Sequence, residues 1–148
     1  MRRIILITII SMFAFTIGHA SAEPLAVIVN KQNPSSEYSR KDLARIYLGN
    51  LSRWPDGQKI VAIHQPGNSE VKNDFLRLVL SVNKDADYQK QIKEGFHYLE
   101  MDSDSTINRL VEEIPNAIAY MPLSKVDSRV KILVIDSYQP QQSGYPLQ

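Results

Sequence analysis

Four short apolar segments, separated by stretches with helical patterning, constrain the fold most strongly. They read LAVIV at 25–29, KIVAIH at 59–64, AIAYM at 117–121 and VKILVI at 130–135. Segments that are apolar almost throughout and only five or six residues long are typical of strands buried on both faces of a sheet. We therefore expect an α/β protein with a three-layer αβα sandwich, built on a mostly parallel sheet that allows one antiparallel strand.

Serine residues mark three of the four predicted helix starts, because a serine hydroxyl accepts a hydrogen bond from the free N–H groups of a first helical turn. The predicted helices run from Ser39 to a stop at Gly49, from Ser69 to about Leu80, over 85–94, and from Ser103 or Ser105 to about Glu113. Trp54, ahead of a Pro-Asp-Gly turn, is predicted to be a structural anchor of the domain.

The first 22 residues have the pattern of a cleavable secretory signal. Arg2 and Arg3 precede an apolar run over 4–17, and the run ends before the small residues Ala20-Ser21-Ala22. The run is too short to span a bilayer comfortably. The predicted division is a signal peptide at 1–22, one domain at 23–136 and a loose tail at 137–148, since the tail is rich in Pro, Gln and Ser.

Charge and cysteine content narrow the function classes. Removing the two signal arginines from 17 basic residues leaves 15 against 16 acidic ones, which gives no support for binding nucleic acid or a membrane surface. The chain has no cysteine. This excludes disulfides, a lipid anchor on cysteine, thiol catalysis and cysteine-bound metals. Without an anchor after signal cleavage, the protein is expected in the periplasm of a Gram-negative cell.

No catalytic or metal-binding pattern is found in the sequence. It contains no GxSxG elbow, no P-loop and no HExxH, so we predict no enzyme activity, no metal and no cofactor. His64 either points into a cleft or is partly buried with a backbone partner, and the second reading is favoured. Glu100, Asp102 and Asp104 lack the glycine and the last glutamate of a calcium loop, which favours a solvated loop and helix cap.

The predicted strand 59–64, the loop 65–68 and the helix that begins at Ser69 form a β-loop-helix unit. The first N–H groups of a helix lack partners and carry partial positive charge. At the carboxyl end of a parallel strand, such a helix start favours an anion. Most capped helices bind nothing, so this pattern alone is weak evidence for a site.

Several segments resemble the phosphate ABC transporter substrate-binding proteins of the bacterial periplasm. They are SRKDLARIYLGNLSRWPDGQKIVAIHQP at 39–66, the S-x-x-x-x-x-F element from Ser69 to Phe75, PNAIAYMP at 115–122 and VKILVID at 130–136. Their order and spacing cover roughly residues 25–135. The resemblance implies a type 2 periplasmic-binding fold, in which two lobes close on a ligand. This chain matches one lobe and has no room for a second.

The resemblance also implies a ligand site, with Ser69 as the principal contact and Asn68, Gln65, Glu70 and Val71 around it. The family often places an arginine before the loop and Ser-Gly-Thr at the helix start. Here His64 and Gln65 stand near the arginine position, and Glu70 and Val71 replace Gly and Thr. The chain therefore lacks a forked cationic donor and gains a negative charge. We expect Gln65 and Glu70 to lie at the surface.

Two functional hypotheses follow. The first is a solute-binding-type protein with weak or partner-assisted binding of phosphate or another small oxyanion, in the service of a transporter. The alternative is a non-transport periplasmic module that uses the same lobe to hold a protein partner.

Overall fold

The computed structural model describes residues 22–148. The signal peptide predicted for 1–22 lies, apart from Ala22, outside the described residues. Within 22–148, no helix has both the length and the apolar character needed to cross a membrane.

Residues 22–148 contain four α-helices and seven strands. The helices are α1 (Arg40–Tyr47), α2 (Glu70–Phe75), α3 (Asp85–Gln91) and α4 (Asp104–Glu113). The strands are β1 (Leu25–Val29), β2 (Glu37–Tyr38), β3 (Val61–His64), β4 (Leu99–Glu100), β5 (Ala117–Pro122), β6 (Lys131–Ile132) and β7 (Val134–Ile135). A π-helical turn, Leu76–Leu80, continues α2, and a 3-10 turn, Leu123–Lys125, follows β5.

The main sheet has the strand order β4-β3-β5-β1-β6. β3 is parallel to β4 and β5, whereas β1 is antiparallel to β5 and β6, so four strands share one direction and β1 opposes them. Val27 and Tyr120 face the helices α1 and α2, while Ile28 and Ala119 face α4. The predicted αβα sandwich with one antiparallel strand is confirmed.

The helix starts follow the predicted capping. The Ser39 side chain accepts a hydrogen bond from the backbone N–H of Asp42, and the buried face of α1 carries Leu43, Ile46 and Tyr47. At α4 the cap is Ser103, which accepts from the Thr106 N–H, so the choice between Ser103 and Ser105 is resolved.

The predicted strand 130–135 is divided between two sheets. Its first part, β6, pairs with β1, and its second part, β7, pairs with β2 in parallel. Between them, Leu133 is fully buried and donates its N–H to Val27, whereas the next N–H, at Val134, donates to Ser36. The chain therefore changes partners at Leu133. The apolar run alone does not reveal this, because apolar residues continue through both parts.

The tail predicted to be loose is instead packed at its end. Tyr145 and Leu147 are buried in the main core. The Leu25 N–H donates to the Leu147 carbonyl at 2.8 Å, and the Tyr145 hydroxyl donates to the Leu25 carbonyl at 2.7 Å. The tail satisfies backbone groups at the start of β1 and covers apolar surface there, which its polar composition does not indicate.

Candidate functional site

The loop between β3 and α2 lies at the carboxyl end of an interior strand. β3 ends at His64 between its parallel neighbours β4 and β5, and α2 begins six positions later, at Glu70. The Ser69 N–H donates to the Pro66 carbonyl at 2.9 Å, which closes the turn. The Ser69 hydroxyl caps α2 by accepting from the Lys72 N–H at 3.3 Å. The sheet thus directs the amino end of α2 toward this loop.

Two backbone N–H groups remain available at this helix start. Those of Glu70 and Val71 are too early in α2 for an intrahelical acceptor, and none of the hydrogen bonds within 22–148 involves them. Glu70 is exposed, and Val71 is half-buried with its side chain against the main core. The site can therefore offer an incoming oxygen two N–H donors, and Val71 contributes only its backbone.

Gln65 is buried, contrary to the expected surface position. Its amide oxygen accepts from the Ser69 hydroxyl at 3.3 Å, and its amide nitrogen donates to the Asp104 carboxylate at 3.2 Å. Asp104 lies in the first turn of α4. Because the glutamine has both a donor and an acceptor, it links the amino ends of two helices, which explains its burial.

The structure brings Gln65 and Ser69 of the predicted site into direct contact. Asn68 is exposed at the tip of the loop and Glu70 is exposed beside it. Neither side chain forms a hydrogen bond within the described residues. The five predicted residues thus surround one loop, with two side chains already engaged in hydrogen bonds to each other.

Lys72 is the principal residue that the sequence interpretation missed. Its side chain is 0% exposed, and its ammonium lies 2.8 Å from Asp85 and 3.5 Å from Glu100. The rings of Tyr88 and Tyr98 lie 5.6 and 5.2 Å from the same nitrogen. The signal was available, since Lys72 is three and four positions before the buried pair Phe75 and Leu76 and so lies on the apolar face of its helix.

Carboxylates dominate the charge around the loop. Asp104 contacts Gln65, and Asp85 is so close to the loop that a methyl group at Gly67 would lie 3.0 Å from its carboxylate. Glu70 adds a third carboxylate. The buried ammonium of Lys72 lies nearby and is already paired. An anion at the helix start is therefore surrounded mainly by negatively charged side chains.

His64 is fully buried beneath the loop. Tyr88 donates its hydroxyl proton to the Tyr47 carbonyl at 2.6 Å, so its oxygen accepts from His64 Nε2 at 2.9 Å. His64 Nδ1 must then accept from the Tyr120 hydroxyl at 2.7 Å, and the Tyr120 oxygen accepts from the Gln65 N–H. The favoured reading of His64 as a buried residue is confirmed, although its partners are hydroxyl groups and not backbone groups, and the reading that places it in a cleft is wrong.

The surroundings of His64 oppose a charge on the imidazole. Burial, with a smaller contribution from the Lys72 ammonium, holds the pKa of His64 well below its usual value. The neutral ring fits its partners, since one ring nitrogen donates and the other accepts. The histidine therefore anchors the carboxyl end of β3.

The acidic residues Glu100, Asp102 and Asp104 do not converge. Glu100 contacts Lys72, and Asp104 contacts Gln65. In the part of the chain that the structure describes, no three His, Cys, Asp or Glu side chains are arranged to hold a metal ion.

No protein-family model matches the chain. Its sequence is 26% identical over 122 residues to the phosphate-binding protein PstS of Bacillus subtilis, an alignment that covers 79% of this chain and 37% of that protein.

Solved structures with the same fold include an ABC-type phosphate transport receptor from Vibrio cholerae (TM-score 0.70, 24% identity). Another is a phosphate ABC transporter substrate-binding protein with bound phosphate from Clostridium perfringens (TM-score 0.69, 23% identity). Each match covers 80% of this chain, and 48% and 47% respectively of the other. The chain thus spans less than half the length of these proteins. It is related to the phosphate ABC transporter substrate-binding proteins and has the fold of one of their lobes.

Proposed function

We propose that this chain is an exported solute-binding-type protein that takes phosphate or another small oxyanion at the start of α2, weakly or with help from a partner. The observation that carries the proposal is the pair of available N–H groups at Glu70 and Val71, next to the Ser69 hydroxyl. They lie at the carboxyl end of a parallel strand, where a helix start favours an oxyanion. The relatives named as phosphate-binding proteins support the same ligand class.

The charges around the loop are the reason for weak binding. A phosphate at the Ser69 hydroxyl approaches the carboxylates of Glu70, Asp85 and Asp104, and the Lys72 ammonium is already paired. The ligand must also compete with Gln65 for the Ser69 hydroxyl. The repulsion by the carboxylates opposes a dianion more strongly than a monoanion.

A partner is proposed because the loop 65–69 and the start of α2 cover the anion from one side only and leave it largely in water. Hydrogen bonds and charges at an open helix start are screened by solvent and salt, whereas a second wall excludes water and strengthens them. The partner in this proposal is a transporter component or another protein that covers the loop 65–69.

Export is a separate part of the proposal. It rests on the signal pattern over 1–22 and predicts a mature chain that starts near Glu23. Intact-mass measurement of protein from the periplasmic fraction tests it. Periplasmic protein that still carries Met1–Ala22 would contradict it.

Calorimetry and amide chemical-shift titration with phosphate and with sulfate test the anion site. At low salt, phosphate should shift the amides of Glu70 and Val71, and Ser69→Ala should reduce binding. Ser128→Ala, at an exposed position away from the loop, should not change it. Because Ser69 also caps α2, circular dichroism must show that the variant is folded. Absence of any shift at residues 65–71 at tens of millimolar phosphate would refute the site, and the protein-interaction module would then be preferred.

A further inference from the structure

A cavity lies at the opposite end of the sheet from the loop 65–69. It occupies about 220 Å³ between the end of α1, the residues just before β3 and the turn that precedes β4. Since β3 and β4 are parallel, the segments that lead into them share one edge of the sheet, and the loop that follows β3 lies at the other. The cavity is therefore separate from the proposed oxyanion site.

Apolar side chains form one wall of this cavity. Ile46 and Ile60 are buried in the main core, and Leu51 and Phe96 pack against that core at the cavity wall. Gly49 makes the close wall possible. It has a φ of 80°, and a methyl group added there would lie 2.7 Å from the Phe96 side chain. The volume of about 220 Å³ exceeds the roughly 150 Å³ that holds benzene in an apolar cavity, so a body of that size fits.

The rim of the cavity is positive. Lys59 and Lys93 both line it and are exposed. Among residues 22–148, neither ammonium takes part in an ion pair. Glu94 contributes one negative charge against the two lysines, which leaves one net positive charge among these three side chains. That balance favours a monoanion over a dianion or a cation.

We propose that this cavity binds a small amphipathic carboxylate with an aromatic or branched apolar body and one negative charge. The apolar body contacts Ile46, Ile60 and Phe96, and the carboxylate lies between Lys59 and Lys93. The combination of an apolar wall and a few charged groups at the mouth is common in small-ligand sites. This function does not depend on oxyanion binding at the start of α2.

Benzoate, benzyl alcohol and acetate are the probes, and amide chemical shifts are the measurement. Benzoate should shift the amides of Gly49, Ile60 and Phe96 and bind at least about ten-fold more tightly than acetate, which lacks the apolar body. Benzyl alcohol, which lacks the charge, should also bind more weakly. Lys59→Gln and Lys93→Gln should each weaken benzoate about two- to five-fold, whereas Lys41→Gln on the exposed side of α1 should have no effect.

A substitution that fills the cavity provides the second test. Ser52 lines the cavity with an exposed side chain, so Ser52→Phe should block benzoate while the fold is kept, and Ser128→Phe at a distant exposed site should not. Equal affinity for benzoate and benzyl alcohol would overturn the role of the lysines. Unchanged benzoate binding in Ser52→Phe, or no shifts at the cavity, would overturn the site itself.

Discussion

The ammonium of Lys72 lies 2.8 Å from the carboxylate of Asp85, and the lysine side chain is completely buried. This contact joins α2 to α3 across the loop that carries the proposed oxyanion site. A buried charge that loses its partner is costly, because water cannot replace the lost interaction. Asp85 is 29% exposed, so the carboxylate itself remains partly hydrated.

Asp85→Asn should lower the free energy of unfolding by about 1–3 kcal/mol, since the buried ammonium keeps only the more distant Glu100. Asp87→Asn is the matched control on the same helix. It removes an exposed pair with Lys90, and its cost should stay within about 0.5 kcal/mol. Urea denaturation measures both. Equal effects of the two substitutions would show that burial of Lys72 does not matter.

Stability should depend on the ionisation of His64. Its pKa is depressed in the folded state, whereas in the unfolded chain it is about 6.5. The unfolded state therefore binds more protons once the pH falls below about 6.5. The stabilisation is fully present above that value and is lost as the pH falls toward the folded pKa, with a limiting slope of about 1.4 kcal/mol per pH unit.

The test compares His64→Gln with His97→Gln, an exposed control. Glutamine keeps one donor and one acceptor at position 64 but does not titrate. Unfolding free energies measured from pH 7.5 to 5 should lose the His64 slope in the first variant and keep it in the second. Identical pH profiles for all three proteins would exclude His64 as the cause.

Trp54 is a buried structural anchor, as the sequence predicts. It is 2% exposed, its indole N–H donates to the Asn116 carbonyl at 3.0 Å, and its ring makes an edge contact with Tyr38. Trp54→Ala should cost about 3–5 kcal/mol of unfolding free energy. Trp54→Phe should recover part of that loss, because it keeps most of the apolar contact. An unchanged melting temperature in Trp54→Ala would contradict the assignment.

The packing of the tail leads to a prediction that its polar composition alone does not give. Leu147 is fully buried, so Leu147→Ala should destabilise the protein by about 2–5 kcal/mol. Gln141→Ala, at an exposed position in the same tail, should change stability by less than about 0.5 kcal/mol. Chemical denaturation distinguishes the two. Comparable small effects would show that the tail is loose in solution.

Glu70→Gln should strengthen phosphate binding. Removing one negative charge about 6 Å from the ligand in a water-like medium gains about 0.7 kcal/mol, or roughly three-fold in affinity. The gain should shrink at high salt, because the removed repulsion is electrostatic. Glu113→Gln, exposed at the other end of α4, is the control. No change in affinity at low salt would mean that Glu70 does not face the ligand.

Gln65→Arg differs from Glu70→Gln, because Gln65 is buried whereas Glu70 is exposed, although both positions were expected at the surface. Gln65 is buried against Asp104 and Ser69. An introduced guanidinium would pair with Asp104 instead of a ligand and would also disturb the packing at position 65. Gln65→Arg must therefore be combined with Asp104→Asn in the same variant, so that the guanidinium is free to bind phosphate.

Local sequence signals predicted much of the fold. Ser39 and Ser69 cap the helices that follow them, and the run LAVIV is β1 with the predicted bounds. These features depend on residues within a few positions of one another, so short-range patterns are sufficient. The loop that carries Ser69 was also located, because its position depends only on the end of one strand and the start of one helix.

Long-range contacts decided the rest. The partners of His64 are 24 and 56 positions away in the sequence, and Lys72 meets Glu100 across 28 positions. The tail reaches Leu25 across more than 100 positions. The sequence by itself determined the layers, the helix caps and the loop at the end of β3. Only the tertiary structure decided which polar groups are buried together, because burial and pairing arise from segments that the chain's local patterns do not connect.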